Sequence, residues 1–279
     1  MSAPAARRGF PIHWVGVVVE YQILGRLRVV GAERAEVVGA PKVETLLGAL
    51  VCRVEEVIPA ERLAYEIWGA RPPRRWMAAL HVHVSQLRKV LGRIGGDPDG
   101  VKDRLVTRAP GYALLLGEGD AVDAKDFHNL VCQGRSALRR DRLEEASKAF
   151  GAALALWRGP AFGDVRVGSM IAEFATWAEE TRMECTELKM EVDLRMGRDR
   201  ELIGPLRNLV TEHPLREAFA RQLMIALCRA ERPADALKVY RFIERTLDQE
   251  LGVQPGRTLR ELQRRILADD QDIPVGIVA

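Results

Sequence analysis

Between Arg71 and Arg93 the chain carries six cations (Arg71, Arg74, Arg75, Arg88, Lys89 and Arg93) and no acidic residue. The same stretch sets Met77, Leu80, Val84, Leu87 and Leu91 at intervals of three, four, three and four. At roughly 100° per residue those five share one stripe of an α-helix, and such a stripe must pack on other apolar groups. The opposite face holds Arg75, Ala79, Val82, Gln86, Lys89 and Arg93, with Ala78 and Ser85 along one side. His81 and Arg88 lie nearer the edge of the apolar stripe. A helix apolar on one side and one-signed on the other belongs at a surface that draws a polyanion.

The neighbours of this helix, expected over about Arg74–Leu91, narrow the fold. Tyr21–Gly25, Leu27–Val30 and Ala35–Val38 are short β-branched runs broken at Gly25 and Gly31-Ala32-Glu33, the pattern of a small antiparallel sheet. Val43, Leu46, Leu47, Leu50 and Val51 follow with helical spacing. Pro59 opens a second helix over Ala60–Trp68 that stops at Gly69. After the third helix comes a Gly95–Gly100 loop, then Arg104–Arg108 and Tyr112–Leu116 joined by Ala109-Pro110-Gly111, a hairpin. Sheet, three helices and hairpin, with a Gly/Pro turn between the last two helices, is the order of a winged helix-turn-helix.

Beyond Asp123 the pattern is helical. Ala146, Phe150 and Ala153 follow the turn Asp141-Arg142, itself after a helix over Phe127–Leu138. Leu202, Leu206 and Leu209 repeat that spacing before Pro214, and Ala236, Tyr240 and Ile243 repeat it after Glu231-Arg232-Pro233. Leu202 and Ala236 are 34 residues apart, the tetratricopeptide period. Ala146 and Leu202 are 56 apart, so the first repeat is interrupted, with Arg158–Gly168 the expected loop. The fold class is mainly α with a small β component: an N-terminal winged helix, then an all-α tetratricopeptide-like domain. The expected organisation is a flexible arm over 1–19, a winged-helix domain over 20–117, a helical domain over 123–269 and a tail over 270–279.

Charge follows the same division. Residues 20–117 hold 15 Lys+Arg against 11 Asp+Glu, while residues 118–279 hold 25 against 28. The reader is basic and the helical half slightly acidic, which suits the second half to proteins rather than DNA.

Other functions find no support. Cys52, Cys132, Cys185 and Cys228 form no CxxC pair and are read as buried structural thiols. His81 and His83 are two apart and diverge on a helix, so they cannot share a metal, and no metal or other cofactor is expected. No phosphate-cradling glycine loop or nucleophile elbow is present, so no enzyme is expected. Trp14, Trp68, Trp76, Trp157 and Trp177 are scattered singly and read as packing anchors. Arg7-Arg8 precedes an apolar stretch that Pro11 and His13 interrupt, so export is not expected. No run is long enough to span a membrane, and a cytoplasmic, nucleoid-associated protein is expected.

The third helix suits a major groove. Ala78 and Ala79 allow close approach, Gln86 matches adenine N6 and N7, Ser85 serves several bases, and Val82 can meet a thymine methyl. Arg74, Arg75, Arg88 and Lys89 would hold phosphate or guanine. On the hairpin, Arg104, Thr107 and Arg108 stand where a wing reaches backbone or minor groove, with Arg108 the expected insertion.

Several stretches then combine. Gly39–Lys42 (GAPK), Leu63–Gly69 (LAYEIWG), His83–Gly92 (HVSQLRKVLG) and Thr107–Tyr112 (TRAPGY) are followed by His213–Arg216 (HPLR), Ala234–Tyr240 (ADALKVY) and Leu251–Pro255 (LGVQP). In this order they resemble the Streptomyces antibiotic regulatory protein family, from about Tyr21 to Asp269. The resemblance implies an OmpR-type winged helix followed by a bacterial transcriptional activation domain. It further implies direct repeats near the −35 element of secondary-metabolite promoters as the target, bound by two protomers side by side, and recruitment of RNA polymerase holoenzyme. Carried onto this chain, the DNA contacts fall on Ala79, His83, Ser85, Gln86, Arg88 and Lys89, with Arg108 and Tyr112 in the wing. Arg93 extends the same basic face. Ser85 and Gln86 stand where OmpR-type readers often carry basic residues, so base preference is not transferable. A repressor of the same architecture, or a helical-repeat adaptor that does not read DNA, are the competing readings.

Overall fold

The computed structural model describes residues 18–31, 35–36, 38–94, 104–163, 165 and 168–268. The arm up to residue 17, the Gly95–Gly100 loop and the tail lie outside them. By internal contacts the chain forms two compact units: Met1–Asp126 with Leu156–Glu179, and Phe127–Ala155 with Glu180–Ala279. Residues 156–179 thus pack with the N-terminal unit.

In the first unit, β1 (Glu20–Gln22), β2 (Arg28–Val30) and β3 (Ala35–Glu36) make the expected antiparallel sheet. The pair Ala121–Val122 adds a strand parallel to β1. Helix α1 (Pro41–Cys52) buries Val43, Leu46, Leu47, Leu50 and Val51, as their spacing requires. Helix α2 (Ala60–Trp68) ends at Gly69, where φ is +62° and a Cβ would be strained. Helix α3 (Trp76–Ile94) begins two residues later than expected, so Arg74 and Arg75 sit in the turn before it.

Leu80, Val84, Leu87 and Leu91 are buried on α3, but Met77 is 42% exposed. The stripe therefore starts at Leu80. Met77 lies in the first helical turn, one turn ahead of the packed residues.

The hairpin forms as β5 (Leu105–Arg108) against β6 (Gly111–Leu114). A third strand, β4 (Ile58–Pro59), pairs with β6. Gly111 is required there, because a Cβ would come within 1.8 Å of the Ile58 carbonyl oxygen.

Segment 156–179 is tied in by backbone and by buried carboxylates. Arg158 and Phe162 donate their amides to the Leu24 and Ile23 carbonyls. Asp123 accepts from the amides of Ile23 and Leu24 (2.8 and 3.0 Å) and from Arg158 (2.7 Å). Glu66, wholly buried on α2, accepts from the Met170 amide and the Ser169 hydroxyl.

The helices of the second half are α4 (Asp123–Arg139), α5 (Leu143–Ala155), α6 (Ser169–Arg195), α7 (Asp199–Glu212), α8 (Glu217–Arg229), α9 (Pro233–Leu251) and α10 (Arg257–Leu267). Three of their turns repeat one geometry. Asp141, Gly197 and Glu231 take left-handed φ values of 55°, 76° and 60°. In each case the next residue's amide returns to a carbonyl five residues back: Arg142 to Ala137, Arg198 to Asp193, Arg232 to Leu227. This is the Schellman closure of a helix end, and it explains the sequence period. The turns are spaced 56 and 34 residues apart, matching Ala146, Leu202 and Ala236. The described residues between Arg158 and Gly168 are irregular, as expected, and the longer interval also holds the first turns of the 27-residue α6, all within segment 156–179.

The thiols divide. Cys185 is buried, and burial pushes it, like Cys52, up to about 12. Cys132 is exposed, against expectation, with Sγ 3.6 Å from His128 Nε2: Val131, not Cys132, is on the packed face of α4. No helix among the described residues is long and apolar enough to cross a membrane, and no cluster of three metal-ligating side chains occurs among them.

Candidate nucleic-acid interface

The outer face of α3 presents Ala78, His81, Val82, Ser85, Gln86, Lys89 and Arg93 to solvent, with Val82 54% exposed. No acidic residue lies on the helix. Ala79, His83 and Arg88 are half-buried at its margins, and Arg74 and Arg75 are exposed just before it.

Arg88 has a structural partner. Its Nε and Nη2 donate to the Leu105 carbonyl at 3.0 and 2.7 Å, and Nη2 also reaches Thr107 Oγ1 at 3.0 Å. The guanidinium is a strut between α3 and the wing strand β5. Thr107 and Arg108 stay exposed on that strand.

Two expected contacts are corrected. Arg104 is 6% exposed and paired with the buried Asp120 at 3.1 Å, so it faces inward. Asp120 also accepts the amides of Val19 and Gly117, making this a fastening of the unit rather than a surface cation. Tyr112 is 5% exposed on the central strand of the wing sheet, paired with Ile58 and Thr107 on either side. Burial raises its phenol pKa, partly offset by the nearby Arg88.

His83 and Gln86 meet each other. His83 Nδ1 lies 3.3 Å from Gln86 Oε1, and its ring rests 5.7 Å from Trp68 at an interplanar angle of 36°. Lys42 Nζ sits over the Trp68 ring, 5.7 Å from its centre. Trp68, read from sequence as a packing anchor, therefore supports the site. No spacing signal could reveal this, because Trp68 and His83 stand on different helices.

A basic helix face braced to a β-hairpin defines a winged-helix regulator, and comparison with known proteins agrees. Residues 34–114 match the "Transcriptional regulatory protein, C terminal" model, and residues 122–267 match the "Bacterial transcriptional activator domain" model. The chain is 36% identical to the regulatory protein DnrI of Streptomyces peucetius over 84% of its length and 86% of DnrI. It is 34% identical to the transcriptional regulator RedD of Streptomyces coelicolor, over 98% of its length and 77% of RedD. Against the transcriptional regulatory protein EmbR of Mycobacterium tuberculosis it is 36% identical over 82% of its length, spanning 58% of EmbR. A solved structure of EmbR in complex with a low-affinity phosphopeptide superposes with a TM-score of 0.85 at 33% identity, covering 93% of this chain and 67% of that one. The chain belongs to the Streptomyces antibiotic regulatory protein family of transcriptional regulators.

Proposed function

We propose that this protein is a sequence-specific DNA-binding transcriptional activator. Helix α3 lies in the major groove through Val82, Ser85, Gln86 and Lys89. Arg74, Arg75 and Arg93 hold phosphates, and Arg108 with Thr107 serves the wing. The observation that carries this reading is the acid-free outer face of α3 with the wing fastened to it by Arg88. The helical-repeat domain engages RNA polymerase holoenzyme through its sigma factor and core. Family membership supports direct repeats near the −35 element of secondary-metabolite promoters as the target, occupied by two copies side by side in the cytoplasm. The reading assigns no catalytic step, metal or cofactor to the chain.

The test is titration of promoter fragments from the neighbouring gene cluster at rising salt, followed by transcription in vitro with holoenzyme. Affinity should fall steeply with salt through counterion release. Arg75→Ala should weaken all sequences alike and lower the salt slope by about 1. Added protein should raise transcript. Loss of transcript would make it a repressor, and binding indifferent to salt and sequence would end the DNA reading.

A further inference from the structure

The contact between His83 and Gln86 bears on which base the outer face selects. An amide side chain at a free helix surface can rotate to present either its oxygen or its nitrogen. Gln86 does not stand alone. A carbonyl oxygen accepts, so the 3.3 Å contact is a hydrogen bond in the tautomer that carries its proton on His83 Nδ1, which then donates to Gln86 Oε1. The imidazole is held by Trp68 from α2, which in turn meets Lys42 from α1. Side chains from α1, α2 and α3 thus line up behind the Gln86 amide. Oε1 keeps a second lone pair, and Nε2 keeps both of its hydrogens.

Resting on the DNA reading above, we propose that His83 is a positioning residue that holds the Gln86 amide for adenine and against guanine. With Oε1 and Nε2 presented together, adenine N6–H meets Oε1 and Nε2–H meets adenine N7. Guanine places O6 where adenine has its amino group, so two acceptors oppose each other. Without His83 the amide can turn and donate from Nε2 to guanine O6 and N7. Discrimination at that position then collapses.

The experiment is selection from a randomised duplex library with the full chain, compared with His83→Ala, His83→Gln and Gln86→Ala. Wild type should favour adenine over guanine about ten-fold at one position. His83→Ala should cut that preference to about two-fold there alone, with the salt slope unchanged. His83→Gln, which supplies a side-chain N–H to the same oxygen, should recover most of it, and Gln86→Ala should abolish it. Wild-type selectivity with an unaltered preference in His83→Ala overturns this inference and leaves the DNA reading standing. Absence of selective binding by wild type overturns the DNA reading itself.

Discussion

Buried carboxylates do different work in the two compact units. In the first, Asp120 accepts the amides of Val19 and Gly117, Asp123 those of Ile23 and Leu24, and Glu66 that of Met170. In the second, Asp193 meets Ser147, Lys189 and Arg198, and Glu191 meets Arg221. The cause is the backbone. Strands of two to four residues and the loops between them leave amide hydrogens unmatched, and a buried amide must be satisfied by something. Helical hairpins closed by Schellman turns satisfy their own ends, which leaves the acids of the second unit to pair with side chains. A fastening to the backbone cannot be replaced by changing side chains, whereas a pair of side chains can.

Substitution should expose that difference most sharply at Asp123. Asp123→Ala orphans two buried amides, and we expect a loss of about 3–5 kcal/mol in urea unfolding. Combining Asp123→Leu with Arg158→Met should recover little, because the Ile23 and Leu24 amides remain. In the second unit, Arg221→Ala should cost about 3 kcal/mol by stranding Glu191. There the double change Glu191→Leu with Arg221→Met should return to within about 1 kcal/mol of wild type. Equal recovery of both doubles would break the distinction.

Glu66 gives a smaller effect of the same kind. Glu66→Ala removes the acceptor at the start of α6 and should cost about 1–2 kcal/mol, read from the same unfolding curves. Arg88→Ala should cost about 1 kcal/mol and weaken DNA binding beyond the loss of one phosphate contact, because the wing is no longer braced. A salt slope that falls by about 1 with no other change would instead make Arg88 a simple phosphate ligand.

The weakest effect concerns pH. Burial pushes the Asp123 carboxyl above its ordinary value, outweighing its donors Ile23, Leu24 and Arg158. The folded chain therefore holds that proton more tightly than the unfolded chain. The resulting contribution is fully present below the ordinary carboxylate pKa and is lost as pH rises through the raised one. The stability of wild type relative to Asp123→Asn should accordingly decline as pH rises from about 4. A difference that stays flat, or grows with pH, would contradict the balance of burial and donors.

Much of the framework of the candidate interface was legible in the residues themselves. The 3-4-3-4 spacing identified the buried side of α3 from Leu80 onward, and the acid-free run identified its solvent-facing side. Ala109-Pro110-Gly111 marked the wing. Met77, Arg104 and Tyr112 were misplaced for related reasons. Periodicity says which residues share a face but not where along the helix packing begins. A cation counts as exposed until a partner such as Asp120, 16 residues away, is brought to it. Tyr112 was carried over from the family resemblance, and the structure sets it on the central strand of the wing sheet, between β5 and a two-residue strand at Ile58–Pro59 that has no periodicity to read.

The amino-acid sequence alone determined the helix faces, the turn positions and the repeat interval, because each depends on local stereochemistry within a few residues. Tertiary structure alone decided that segment 156–179 packs with the reader, that Arg88 braces the wing and that His83 turns toward Gln86. Each of those depends on groups from different elements meeting in space (Arg158 with Leu24, Arg88 with Leu105, and the Trp68 ring against His83), which no pattern along the chain records.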